Sequence, residues 1–186
     1  MPTSGSLLQP GSTVLVVIDL QERLLPAIAG AQAVLANTEK LLRLAKVMNL
    51  QTILTTQYRK GLGETVPAIA GLAAVDPIDK VSFGCMGDEG FCAALRQEIA
   101  PGETILLAGV EAHVCVLQTA LGALQEGYRV HVVADATASR SEANAALGIE
   151  RMRGAGAVIS STEMAVYELL GNSRRPEFKR MLPYLK

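Results

Sequence analysis

The sequence is short of the residues that staple or metallate small folds. It has three cysteines and two histidines among 186 residues. The cysteines, Cys85, Cys92 and Cys115, are odd in number and follow neither a CxxC nor a zinc-ligand spacing. That excludes a disulfide framework and fits a reduced, cytoplasmic protein. An excess of charge is missing too: 17 Lys and Arg stand against 18 Asp and Glu, a formal net charge of −1. Nothing in that balance would capture nucleic acid or an anionic membrane surface. A small basic group near the end (Arg174, Arg175, Lys179, Arg180) reads as the solvated face of a terminal helix. Apolar residues make up 49%, yet no run approaches the roughly 20 residues that a membrane-spanning helix needs. The opening residues, MPTSGSLLQPGS, lack a basic segment followed by an apolar one and do not read as a secretory signal. Residues 1–12 are expected to form a flexible lead-in. Residues 13–186, without repeats or a linker, are expected to fold as one domain with its own core.

What the chain does have is regular alternation. TVLVVID (13–19) is a β-branched, apolar run ending in an acid and predicts a strand buried on both faces. A helical pattern follows over Ala31–Val47, then a strand over QTILTT (51–56). The segment 58–80 is irregular, with a short helix expected around Glu64–Ile69 and turns at Gly61 and Gly63. Helices are predicted over 88–100, Val114–Gln125, 141–153, 162–170 and 176–184, and strands over 103–109, 128–135 and 157–161. Such an order predicts an α/β fold: a three-layer α/β/α sandwich around a mainly parallel, Rossmann-like sheet. Ligands of these sheets bind beyond the carboxyl ends of the strands.

Several chemically capable residues fall at those ends. Asp19 closes the first strand. Glu111 to Cys115 link the strand ILLAGV to the next helix. Lys80 precedes VSFGCMGDEG, close to a short strand, and Asp135 closes RVHVVAD. A cysteine, an acid and a lysine are the parts of nucleophilic acyl chemistry, because a thiolate attacks, a carboxylate moves the proton and an ammonium favours the anion. A helix N-terminus and a nearby lysine are both expected to lower the pKa of Cys115. By position alone, however, Cys115 reads rather as a small residue packing a helix start, and Lys80 as a surface lysine. His113 reads as shaping the turn, Asp135 as a structural cap, and Cys92 as core. GLG (61–63) and GAG (154–156) do not open a helix after a strand, as a dinucleotide loop must.

Three segments carry a resemblance: VLVVIDLQERLLPAI with its Asp-x-Gln (Asp19, Gln21), DKVSFGCMG with Lys80, and GVEAHVCVLQTALGALQEGYRVHVVADATASRS. Together they resemble the isochorismatase-like cysteine hydrolases, over essentially the whole chain and most closely in the isochorismatase-domain-containing branch. The resemblance implies a parallel sheet of about six strands, with Asp19 as general base, Lys80 as the residue holding thiolate and aspartate, and Cys115 as nucleophile. It also implies a cis peptide at Val110–Glu111 and an oxyanion hole made of the Glu111 and Cys115 backbone N–H groups. No cofactor is implied, and a homo-oligomer of two or more chains is. Leu24, Gln57 and Phe83 are expected to line the pocket for a small-molecule substrate.

Departures from the family pattern narrow the activity. Nicotinamidases carry an aspartate and histidines after the second strand to bind a metal. Here Gln57 and Arg59 stand at the places of an aspartate and a histidine, and the two histidines are His113 and His131, so no metal site is expected. The expected activity is hydrolysis of a C–N or related acyl bond through an acyl-enzyme. The alternatives are hydrolysis of a vinyl ether, which in isochorismatases proper does not use the cysteine, and an idle site on an interaction or regulatory module.

Overall fold

The apolar runs become the middle of a six-stranded, wholly parallel sheet. The computed structural model describes residues 7–185 and orders the strands β3-β2-β1-β4-β5-β6. These are β1 (Thr13–Ile18), β2 (Thr52–Gln57), β3 (Ile78–Lys80), β4 (Thr104–Val110), β5 (Arg129–Ala138) and β6 (Val158–Ser160). Every residue of β1 and β4 is buried, as expected of central parallel strands covered on both faces. Side chains alternate between two cores. Leu15 and Val17 join one with helices α1 (Ala31–Met48), α3 (Pro67–Ala73), α7 (Thr162–Leu170) and α8 (Pro176–Met181). Val14, Val16 and Ile18 join the other with α4 (Glu89–Glu98), α5 (Leu117–Gln125) and α6 (Glu142–Gly154). The result is the three-layer sandwich that the alternation predicts.

The helices start where their caps dictate. Asp88, Ser141 and Ser161 each accept a hydrogen bond from a backbone N–H in the first turn of α4, α6 and α7, satisfying donors that have no intrahelical partner. The chain moves outward in opposite directions from the centre, through β2 and β3 on one side and β5 and β6 on the other. The carboxyl ends of β1 and β4 therefore flank a switch point, where this topology leaves a crevice.

The structure departs from the sequence reading in three places. Of the expected lead-in, residues 1–6 lie outside the described residues. From Leu8 the chain is docked: Leu8 is buried, and its N–H donates to the Glu168 carboxylate (3.0 Å). The short helix expected at Glu64–Ile69 is replaced by two, α2 (Arg59–Leu62) and α3 beginning at Pro67. Proline at the first helical position starts a helix rather than limiting it. Ahead of it Thr65 bridges to Gln21. Finally, β5 runs on to Ala138, with a register irregularity against β4 between Leu107 and Gly109.

Candidate active site

Asp19 leaves β1 in a left-handed backbone conformation (φ 54°) and is fully buried. Its two carboxylate oxygens are separately engaged. Oδ1 accepts from the Thr55 hydroxyl (2.7 Å), and Oδ2 accepts from Lys80 Nζ (2.8 Å). Lys80 arrives from the end of β3, two strands away, and its ammonium is wrapped by acceptors. Gln57 Oε1 lies at 2.8 Å, the Phe83 carbonyl at 3.1 Å and the Ser82 carbonyl at 3.4 Å. Burial opposes the charge on this lysine. The Asp19 carboxylate, with smaller contributions from Cys85 and Cys115, outweighs it, and the pKa is raised above the ordinary lysine value.

Gln21 sets the stage for Gln57. Its amide carbonyl accepts the Gln57 N–H (2.8 Å), while its Nε2 donates to the carbonyls of Gln57 (3.1 Å) and Gly63 (2.8 Å). The Gln57 side chain is thereby aimed at Lys80, with its own Nε2 donating to the Val81 carbonyl (2.9 Å). The second neighbour of interest, Arg59, instead donates to the Pro77 carbonyl (3.0 Å) and pairs with Glu64 (3.5 Å).

Cys115 sits on the other side of the crevice, in a single wide π-helical turn (Ala112–Val116) between β4 and α5. The expectation of a lowered cysteine pKa is not met. Burial pushes the thiol up to about 12, and the negative charge and hydrogen bond of Asp19 add to the rise, with Lys80 pulling the other way. The resting group is a neutral thiol beside a carboxylate. The turn is tied by the Glu111 carbonyl, which accepts from the N–H groups of Val114 (3.0 Å) and Val116 (3.2 Å). The Val110–Glu111 peptide bond is cis. Just before it, Gly109 (φ 117°) passes so close to β1 that a Cβ would lie 2.1 Å from the Ile18 carbonyl oxygen. Only glycine permits that approach. The Glu111 carboxylate turns away to the rim, accepting from Arg140 N–H (2.9 Å) and Nε (3.1 Å).

Other sequence-derived residues fall where they were expected or nearby. His113 Nδ1 contacts the Ser139 hydroxyl at 2.9 Å, and Asp135 Oδ1 accepts from the N–H and hydroxyl of Thr162 (2.7 and 2.9 Å), capping α7. Cys85 is completely buried near Lys80, and burial likewise pushes its thiol to about 12. Cys92 is half-buried rather than fully core. Of the three expected pocket residues, Gln57 holds Lys80, Leu24 is half-buried, and Phe83 turns its ring outward (55% exposed) while its carbonyl faces the lysine.

Two residues escaped the sequence reading. Thr55 lies on β2 within an apolar run and anchors Asp19. Thr119, fully buried, donates to the Cys115 carbonyl (2.7 Å) and accepts from the Cys85 N–H (2.9 Å). It ties the cysteine turn to the Lys80 loop. Its signal was present: a threonine four residues after Cys115 on a helix can reach back to that carbonyl.

The family model for the isochorismatase domain matches residues 13–164. Isochorismatase domain-containing protein 2 of Pongo abelii is 36% identical over 100% of this chain and 88% of its own length. The MAR1 ribonuclease structure from Caenorhabditis elegans superposes with a TM-score of 0.89 at 35% identity, covering 97% of this chain and 92% of that one. The YcaC structure from Escherichia coli, an octameric hydrolase of unknown specificity, has a TM-score of 0.89 at 28% identity, covering 97% and 91%. Domain match, full-length similarity and shared topology agree: the chain belongs to the isochorismatase family of hydrolases.

Proposed function

We propose that this protein is a metal-independent cysteine hydrolase that cleaves a C–N or related acyl bond of a small molecule. The observation that carries this reading is the convergence of a buried carboxylate and ammonium (2.8 Å apart) with the Cys115 thiol at the β1/β4 switch point. A buried ion pair at a sheet's carboxyl end is a poor way to gain stability. It is a good way to control a proton.

The thiol rests protonated, so the first step is its deprotonation by Asp19. The sulfur lone pair attacks the substrate carbonyl carbon, forming the C–S bond as the π electrons move to oxygen. The Glu111 and Cys115 backbone N–H groups stabilise that oxyanion, a contribution typically of about 3 kcal/mol per donor. The tetrahedral centre then collapses, the C–N bond breaks, and Asp19 returns its proton to the departing nitrogen. Water, deprotonated by Asp19, attacks the thioester. Sulfur leaves and recovers a proton from Asp19, freeing the acid. Lys80 stays protonated throughout, holding the carboxylate in place. Gln57 and Arg59 stand where related amidases place metal ligands, and their side chains are engaged with Lys80, Pro77 and Glu64. That supports chemistry without a metal or other cofactor.

The E. coli relative's octamer supports an oligomeric state here, and free cysteines suit a reducing cytoplasm. The test is turnover of a panel of small amides, carbamoyl compounds, vinyl ethers and an RNA oligonucleotide by wild type and Cys115→Ala. The expected result is hydrolysis of an amide or carbamoyl compound, abolished in the variant. Cleavage of a vinyl ether or RNA that survives Cys115→Ala would overturn the cysteine mechanism.

A further inference from the structure

Open cavities lie away from the crevice, along α1. Two of them meet at Arg43 and Tyr184. One, of about 400 Å³, is bounded by α1, α3 and α8 and lined by Leu42, Arg43, Lys46, Leu72, Arg180 and Tyr184. The other, of about 460 Å³, continues along α1 past Glu39 and Lys40. The first is unusual for this protein. The chain as a whole balances its charges, yet this cleft gathers three cations and no acid over a floor that includes the buried Leu42.

The cations are also unspent. Glu39 stands four residues before Arg43, the spacing and order at which helical ion pairs form best. Arg43 does not take it. Its guanidinium lies 4.5 Å from the centroid of the Tyr184 ring, a cation–π arrangement that fixes the arginine at the mouth of the cleft. Lys46 has Leu42 as its neighbour four residues earlier on α1. Among the described residues none of Arg43, Lys46 and Arg180 makes an ion pair. An oriented arginine, two further cations and an aliphatic wall match one ligand chemistry: an anionic head on an apolar body.

We propose that this cleft binds an amphiphilic organic anion, a carboxylate with an aliphatic chain, with Arg43 and Arg180 on the carboxylate and Leu42 and Leu72 against the chain. Arginine suits that head because its planar fork matches a carboxylate. The site is separate from Cys115 and does not depend on the proposed reaction.

Isothermal titration calorimetry with decanoate below its micelle concentration, on the full-length protein at low salt, tests this. Saturable one-to-one binding is expected, weakened about tenfold in Arg43→Gln and in Arg180→Gln and weakened by added salt. Cys115→Ala is expected to bind as wild type does, which separates this cleft from the active site. Decyltrimethylammonium, with a chain of the same length and opposite charge, is expected not to bind. Circular dichroism of each variant shows that it is folded. Lack of saturable binding in the millimolar range, wild-type affinity in both arginine variants, or loss of binding in Cys115→Ala would overturn the proposal. So would sedimentation with phosphatidylglycerol vesicles in the absence of decanoate binding, which would make the cleft a membrane contact instead.

Discussion

Two ion pairs flank the crevice, and they are built in opposite ways. On the β3 side, Lys80 and Asp19 meet at 2.8 Å with both side chains wholly shielded from solvent. On the β5 side, Arg140 and Glu111 meet at 3.1 Å with the arginine 62% exposed. The first pair is shielded from bulk solvent and is held by Thr55, Gln57 and the Ser82 and Phe83 carbonyls. The second can exchange its partner for solvent at little cost. In the proposed mechanism, the first pair sets protonation at the Cys115 sulfur, while the second steadies the loop after the cis peptide.

Breaking the buried pair should have the largest effect. Lys80→Ala leaves Asp19 charged, buried and short of its partner, and a loss of about 3–5 kcal/mol of unfolding free energy is expected. Urea denaturation would measure it. Lys80→Ala with Asp19→Asn removes both charges and should recover part of that stability without recovering turnover. Additive losses would mean that the two groups do not act as a pair.

Thr119 sharpens the comparison, because it belongs to the buried side without carrying charge. Thr119→Val keeps the shape and removes the hydroxyl that joins Cys115 to Cys85. An N–H left without a partner in a dry site costs about 1–3 kcal/mol. The expected loss falls in that range, while Thr119→Ser should restore the wild-type midpoint. A Val variant as stable as wild type would show that the bridge is idle. Arg140→Ala should produce the smallest change, a slight shift in the unfolding midpoint that shrinks as salt is added, as exposed pairs do. A shift rivalling that of Lys80→Ala would erase the distinction between the two sides.

The same contrast explains what the sequence could convey. The alternation of strands and helices along the chain was legible because apolar periodicity is local, and Asp19, Lys80 and Cys115 could be placed at or near the carboxyl ends on that basis. Their convergence was legible only through the family resemblance. It depends on β3 pairing with β2, which brings Lys80 beside Gln57, 23 residues earlier in the chain. The pKa of Cys115 was misjudged for a related reason. Helix position and a lysine can be read from spacing, but the burial that dominates the shift arises only when α5 packs against the sheet. Thr55 looked like any other strand threonine until β1 lay alongside it. The cleft on α1 was hidden because Arg180 reaches it from the far end of the chain.

The proposed mechanism requires Lys80 and Asp19 to make Cys115 a nucleophile rather than another buried thiol. The most direct measurement is the rate of iodoacetamide labelling at each cysteine, followed by peptide mass spectrometry at pH 7 in wild type and Lys80→Ala. Cys115 is expected to label far faster than Cys85 and Cys92. Lys80→Ala is expected to slow Cys115, because the ammonium lowers the cost of the thiolate. Equal, slow labelling at all three cysteines in the wild type would contradict the mechanism and leave the crevice as an idle site on a hydrolase fold.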